Sequence, residues 1–277
     1  RVHPLASLPD DGGWLIVEPD EYDQVMADPI AARYVRKYVG ARELLHNGQR
    51  HCLWLTDMTK ADLEASPVLQ ERVAGVRTFR SDSDAASTRD AASTAHLFRQ
   101  ISQPKTPYLC IPRHVSETRP YFTTSRFGQE VICSDANFLA PDQDGFTFSI
   151  ISSTMFMTWQ RTVGGRIKSD LRFNKLLTWN TFPLPHTNAA ARQAIIDAGT
   201  EILHAREAQA GKSLAQLYDP ATLSPGLARA HDNLDRHLDR LFGFATGQPS
   251  TLDRQRVLFA RYEELTAPLT AAATGAR

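Results

Sequence analysis

The stretch Trp159–Pro185, WQRTVGGRIKSDLRFNKLLTWNTFPLP, sets cationic, carboxylate, hydroxyl and aromatic side chains around a double glycine. Ile150, Ile151, Met155, Trp159 and Val163 recur before it with helical spacing, so Gly164 and Gly165 are expected to stop a helix with a residue at positive φ. The residues after the glycines read as extended. Side chains alternate faces in an extended segment, which would point Lys168, Asp170 and Arg172 one way and Ile167, Ser169, Leu171 and Phe173 the other. A donor, an acceptor and a second donor in a row are what base edges in the major groove require. The same spacing suits a solvated strand edge with a local Lys168–Asp170 ion pair, because charge on an edge strand blocks edge-to-edge pairing. Spacing alone leaves both readings open.

The charge around this stretch is uneven. Over the 277 residues Lys and Arg balance Asp and Glu at 31 each. Residues 1–71 carry 7 basic against 12 acidic groups, residues 72–175 carry 14 against 9, and residues 176–277 carry 10 against 10. The middle third therefore has the excess that a phosphate-contacting surface needs. An apolar content of 42% and a charged content of 22% describe an ordinary soluble chain. No apolar run is long enough for a transmembrane helix and no signal peptide opens the chain, so no membrane partner is expected. Cys52, Cys110 and Cys133 stand far apart in apolar runs, which reads as buried thiols of a cytoplasmic protein. A first residue of Arg1 rather than Met suggests a portion of a longer chain.

Upstream, Trp14–Val17 reads as a strand and Pro19–Tyr38 as a helix with acidic residues first and Arg33, Arg36 and Lys37 last. His51–Leu55 is a compact apolar strand. Thr59–Asp62 resembles a capping box that opens a longer helix through Arg72, Val76 and Phe79, with Arg72, Arg77 and Arg80 as a basic face. Residues 81–95 are small and polar, a surface loop or weak helix. A strand at Tyr108–Ile111 sits between prolines, with Lys105 and Arg113 beside it. Further strands are expected at Tyr121–Thr123 and Val131–Leu139, then a turn at Pro141–Gly145 and a helix Phe146–Val163. Beyond Pro185 only helical periodicity remains: Ala189–Ala208, Leu214–Leu217, Pro225–Phe242 and Ser250–Leu265. The expected fold class is α+β, a mixed α/β part and an all-helical part that divide near Thr187.

Catalytic signatures are missing. The chain has no GxSxG elbow, no GxxxxGK[ST] loop, no HExxH and no CxxC pair. Gly164-Gly165 ends a helix instead of joining a strand to a helix, unlike a nucleotide-binding turn. His231 and His237 lie six residues apart on one helix and do not share a face, and Asp142 and Asp144 sit in a turn without a converging lysine. No catalytic residue, metal ligand or cofactor site is expected within this chain.

Several segments, in order, resemble the C-terminal portion of the MmeI-type (type IIL) single-chain restriction-modification enzymes. They are Tyr38-Val39-Gly40-Ala41-Arg42-Glu43, Arg50-His51-Cys52-Leu53-Trp54-Leu55, and Arg72-Val73 with Val76-Arg77 and Phe79-Arg80. The likeness continues through Gln103-Pro104-Lys105-Thr106 with Tyr108, Leu109, Ile111 and Pro112, through Gly165-Arg166-Ile167-Lys168-Ser169-Asp170 with Arg172, and through Trp179-Asn180-Thr181-Phe182-Pro183. Leu217-Tyr218-Asp219-Pro220 and Ala230-His231 with Leu234-Asp235 extend it into the tail. Such enzymes join a nuclease, a helical spacer, an S-adenosylmethionine-dependent adenine-N6 DNA methyltransferase and a target recognition domain.

The resemblance implies a target recognition domain over residues 1–186 and a helical C-terminal extension over residues 187–277. It implies double-stranded DNA and the methyltransferase domain of the same parent chain as partners. S-adenosylmethionine belongs to that parent domain, since neither its glycine-rich motif nor its Asn-Pro-Pro-Phe/Tyr motif occurs here. Residues matching Lys168–Arg172 help choose base pairs in the family, so Lys168, Ser169, Asp170 and Arg172 are the leading base-reading group. Lys168 donating to guanine and Asp170 accepting from cytosine imply a G·C pair at one end of the site. Asp135, Ala136 and Asn137 form a second candidate group, and Lys105, Arg113, Arg126, Arg161, Arg166 and Lys175 are assigned to phosphate contact. Asn174 departs from the family pattern, where serine is common. The alternative function is a protein-interaction module that docks other subunits through its helical tail.

Overall fold

The computed structural model describes residues 6–274. They form two compact units, each discontinuous in sequence: residues 6–110 with 127–141, and residues 111–126 with 142–274. The division expected near Thr187 falls inside the second. Strands and helices are both present, and every regular element from Ala189 onward is helical, so the fold is α+β.

The first unit is built on a four-stranded sheet in the order Ile16–Val17, His51–Leu53, Val35–Val39, Ile132–Cys133. Ile16 and Arg36 both lie opposite Cys52 in antiparallel pairs, while Tyr38 lies opposite Ile132 in a parallel one. Leu15, Val17 and Leu53 meet Leu69, Val73 and Val76 of the helix Pro67–Ser81 in the core. Ser66 starts that helix by accepting the Leu69 N–H at 3.1 Å, with Pro67 in the first turn.

The Ser66–Pro67 step also corrects the single long helix expected from Thr59. Proline forces the preceding residue out of the helical region, and Ser66 is extended at φ −111°. A separate helix, Lys60–Ala65, therefore ends there, opened by the expected Thr59–Asp62 capping box. The expected helix Pro19–Tyr38 is likewise short, Tyr22–Met26, followed by a 3-10 turn at Ala31–Tyr34 and then the strand Val35–Val39. Asp28 breaks it by accepting the Ile30 and Ala31 N–H groups around Pro29, and Val35, Tyr38 and Val39 then fill the sheet.

The basic face of Pro67–Ser81 does not exist as a face. Arg77 is exposed, but Arg80 is fully buried and donates to five backbone carbonyls, those of Pro9, Asp10, Ala91, Thr94 and Leu97, at 2.8–3.2 Å. Arg72 is buried against the Trp14 and Ile16 carbonyls and pairs with Glu21 at 2.9 Å. Guanidinium suits this work because its five donors lie in one rigid plane. The strand expected over Val131–Leu139 is cut into Ile132–Cys133 and Asn137–Pro141 by a turn at Asp135–Ala136. All three cysteines are buried without a disulfide.

The second unit packs the helices Ala189–Glu207, Pro225–Leu241 and Thr251–Thr274 on two shorter ones, Phe146–Ile151 and Thr154–Val163. The last two replace the one helix expected there. Ser153 is extended and its Oγ accepts the Phe156 N–H at 3.1 Å, so it caps a new helix instead of continuing the old one. Met155 and Trp159 then pack with Phe242 and Leu258, and Phe156 collects Phe122, Phe173, Trp179 and Phe182 around its ring. The strand expected at Tyr121–Thr123 lies at Ser125–Phe127, because Tyr121 instead stacks on His231 at 3.7 Å.

His231 is fully buried and hydrogen-bonded at both ring nitrogens. Its Nδ1 faces the Ser152 carbonyl at 3.1 Å, which only accepts, so Nδ1 carries the proton and Nε2 is bare. Tyr218 Oη donates to that nitrogen at 2.8 Å and accepts from Arg206 Nε at 2.8 Å. Burial, and then the Arg206 charge, hold His231 neutral, well below the usual imidazole range.

Candidate nucleic-acid interface

Gly165–Ile167 and Asp170–Arg172 form an antiparallel hairpin in which Asp170 lies opposite Ile167 and Arg172 opposite Gly165. Lys168 and Ser169 are the two turn residues, and Lys168 sits at φ +53°. This differs from the extended run expected from Gly164 to Phe173. Asp170 and Arg172 do share an outward face, with Leu171 between them fully buried, but Lys168 projects from the tip. A two-residue hairpin needs positive φ at its first central position, and here a lysine supplies it.

Gly164 also has a different task from the one expected. Its φ is −72°, with ψ 149°, an ordinary extended conformation. What requires glycine is proximity: a Cβ there would lie 2.1 Å from the Gln160 amide nitrogen and 2.3 Å from the Gln160 carbonyl oxygen. Gln160 is itself fully buried and donates from Nε2 to the Arg172 carbonyl at 2.9 Å. The hairpin is thus fastened at its base by Gln160, by the Phe173 N–H to the Arg113 carbonyl at 2.9 Å, and by pairing of Leu171 with Val115 and Arg172 with His114. Sequence reasoning missed Gln160; its place four residues before a glycine at a helix end is the signal that would have found it.

Outside this base, residues 165–170 and Arg172 are exposed. Lys168, Asp170 and Arg172 form no ion pair or side-chain hydrogen bond among the described residues, so the local Lys168–Asp170 pair is not present. Arg166 braces the turn, pairing with Glu117 and donating to the Ser169 carbonyl, at 3.0 and 3.1 Å. His114 is held below the usual imidazole range by burial first and by the Arg172 and Arg113 charges next, while Asp170 opposes.

The other assigned cations differ in their commitments. Arg161 donates to the Glu117 and Arg119 carbonyls, at 3.2 and 2.9 Å. Arg126 pairs with the buried Asp142 at 3.0 Å and donates to the Asp142 and Gln143 carbonyls. Burial pushes the Asp142 carboxyl up, against the pull of Arg126, and its oxygens accept the Thr147 and Phe148 N–H groups. Arg126 therefore holds the corner before Phe146. Lys105 is exposed beside an open cavity of about 540 Å³ that Arg36, Trp54 and Ile101 also line. Lys175 begins a π-helical turn, Lys175–Trp179, which Asn174 caps by accepting the Leu176 and Leu177 N–H groups at 2.8 and 3.0 Å. That is the work of Asn174, and it leaves Leu176 and Leu177 exposed.

The second candidate group lies in the first unit, whereas the hairpin belongs to the second. Asp135 and Ala136 are half-buried turn residues. Asn137 is fully buried and donates to the Val39 carbonyl at 3.0 Å, so its side chain holds the turn to the sheet.

Comparison with known proteins bears on this geometry. The chain is 33% identical over 267 residues to DNA methyltransferase A of Bacillus subtilis (strain 168), a match that covers 96% of this chain and 30% of the relative. A solved structure of the type IIL restriction-modification enzyme MmeI in complex with DNA superposes with a TM-score of 0.88 at 36% identity, covering 95% of this chain and 35% of that one. The chain thus spans about a third of the length of the relatives it matches. The family model described as "MmeI, target recognition domain" matches residues 4–186, and the one described as "MmeI, C-terminal domain" matches residues 187–270. The chain belongs to the MmeI family, of which it carries the target recognition domain and the C-terminal domain.

Proposed function

We propose that this chain reads duplex DNA as the target recognition module of an S-adenosylmethionine-dependent adenine-N6 DNA methyltransferase of a restriction-modification system. One observation carries the reading: Lys168, Asp170 and Arg172 stand exposed, with no ion pair or side-chain hydrogen bond among the described residues, on a hairpin whose base is fastened by buried groups. Charged side chains held out by a rigid scaffold without a partner of their own suit a partner that supplies donors and acceptors. The likeness to a DNA-bound restriction-modification enzyme supports duplex DNA as that partner. Lys168 donates to guanine O6 or N7 and Asp170 accepts from cytosine N4, which selects a G·C pair. Asp135 and Ala136 are the second reading group. Lys105, Arg113, Arg161, Arg166 and Lys175 supply phosphate contacts, whereas Arg126 and Asn137 serve the fold.

In the parent protein a methyltransferase domain holds S-adenosylmethionine and the target adenine, residues 1–186 form the recognition domain, and residues 187–277 form its helical extension. The cytoplasm is the compartment of such a reaction. Among the described residues no helix is long and apolar enough to cross a membrane.

The test is binding-site selection on the full-length protein together with Lys168→Glu/Asp170→Arg. The wild type should select a motif with a G·C pair, and the exchange should reverse or abolish that choice. Affinity should fall with salt at a logarithmic slope of about 0.9 for each phosphate contacted. The same motif from both forms would overturn the residue assignment, and no selected motif from the wild type would overturn DNA reading.

A further inference from the structure

The π-helical turn Lys175–Trp179 holds two adjacent leucines out of the core: Leu176 is 66% exposed and Leu177 53%. Apolar side chains scattered singly over a surface need no explanation, but this pair is held in place. Asn174 Oδ1 accepts both of their N–H groups. The buried Thr178 closes the turn, its hydroxyl donating to the Asn174 carbonyl at 2.6 Å and accepting the Asn174 N–H at 3.2 Å. The Thr181 hydroxyl donates to the Leu177 carbonyl and accepts the Trp159 Nε1–H at 3.2 Å, and the Trp179 ring meets Phe156 at 6.1 Å.

The helix that fixes this turn also fixes the hairpin. Thr154–Val163 holds the turn through Phe156 and Trp159, and it holds the hairpin through Gln160, whose Nε2 donates to the Arg172 carbonyl at 2.9 Å. Arg172 stands three residues before Lys175. The leucines are thus mounted beside the charged trio on one scaffold. From Trp159 to Pro185 the chain carries five Lys and Arg against the single Asp170, so the partner that covers them is negatively charged and yet offers apolar contact. The major groove of DNA meets both demands. Phosphates supply the charge, and the thymine C5-methyl is the apolar group among the base edges.

We infer that Leu176 and Leu177 form an apolar contact to the C5-methyl of a thymine beside the base pair read by Lys168 and Asp170, and so select a T·A pair there. This rests on the DNA-reading function proposed above. The contact adds no charge, so it sharpens base choice without strengthening the hold on phosphate.

The test uses the full-length protein, competition binding on its selected motif with each thymine replaced in turn by deoxyuridine, and the variants Leu176→Ala, Leu177→Ala and the double. Deoxyuridine lacks only the methyl. At one position it should weaken wild-type binding roughly fourfold, the worth of one buried methyl. The double variant should bind the thymine motif more weakly by at least that factor, show no further loss with deoxyuridine, and keep the G·C choice and the salt slope. Both leucines are exposed, so the variants should keep the wild-type unfolding midpoint. A wild type indifferent to deoxyuridine at every position, or a double variant as sensitive to it as the wild type, overturns the inference and leaves the hairpin reading standing. Variants that bind DNA as the wild type does but lose methyl transfer overturn it too, and place a protein surface on the leucines instead. A wild type that selects no motif overturns both readings.

Discussion

Lys168 occupies the left-handed region at φ +53°, where a side chain with a Cβ costs roughly 1–2 kcal/mol relative to the right-handed one. Its ammonium has no partner among the described residues that would offset this cost. Two substitutions separate the backbone from the side chain. Lys168→Ala removes the ammonium and keeps the strain. Lys168→Gly removes both, although glycine gives back roughly 0.5–1 kcal/mol through the freedom of the unfolded chain. The glycine variant should therefore be more stable than the alanine variant by about 1 kcal/mol, a shift of roughly 2–4 °C in Tm for a chain of this size. Both should lose the preference for guanine, worth about 1–3 kcal/mol, or roughly 5- to 150-fold in relative affinity for the motif against its G-to-A variant. Urea or thermal unfolding measures the first quantity and competition binding the second. If alanine proves as stable as glycine, the turn is not strained as described. If either variant keeps the guanine preference, Lys168 does not read the base.

Gly164→Ala places a methyl 2.1 Å from the Gln160 amide and 2.3 Å from its carbonyl, so the end of Thr154–Val163 must shift, at about 1–3 kcal/mol in the urea unfolding free energy. Arg80→Lys keeps the charge but cannot reach five carbonyls in one plane; leaving several unpaired in the core should lower unfolding stability by about 2–4 kcal/mol. Two buried groups oppose each other in pH dependence. Burial pushes the Asp235 carboxyl up to about 6, partly offset by hydrogen bonds from Thr154, so the folded state binds that proton more tightly and stability rises as pH falls from about 6 toward 4. His231 is held neutral, so the unfolded chain gains a proton that the folded one refuses and stability falls as pH drops through about 6.5. Asp235→Asn removes the first effect and should lose up to roughly 3 kcal/mol more than the wild type between pH 6 and pH 4, read from urea midpoints. Equal losses would show that Asp235 does not titrate in this window.

What was legible in the sequence and what was not divides along the range of the forces involved. Caps and short periodic runs act within a few residues, so the Thr59–Asp62 box, the strand at Tyr108–Ile111 and the helices Ala189–Glu207, Leu214–Leu217 and Pro225–Leu241 are where spacing puts them, while the last helix runs on past Leu265 to Thr274. Some errors are local, where Asp28, Pro67 and Ser153 break or restart a helix that periodicity runs on, and others arise where a distant partner claims a side chain. Arg72 and Arg80 look like a solvated face until backbone carbonyls from Pro9, Trp14 and Leu97 are brought to them. Tyr121 looks like strand until His231 stacks on it. The hairpin mixes both cases: its charged residues were readable, but alternation failed at Lys168 because a two-residue turn breaks the period of two. That failure changes the mechanism. On a continuous strand Lys168 and Asp170 would rise and fall together with any movement of one face. On the hairpin Asp170 is fixed by its neighbour Leu171, which is buried and paired with Val115, whereas Lys168 rides on a turn braced by Arg166. Substitutions of the exposed trio leave the buried fastening of Leu171 and Gln160 untouched. Stability and base choice should accordingly vary independently across Lys168, Asp170 and Arg172, and vary together at Gln160 and Gly164.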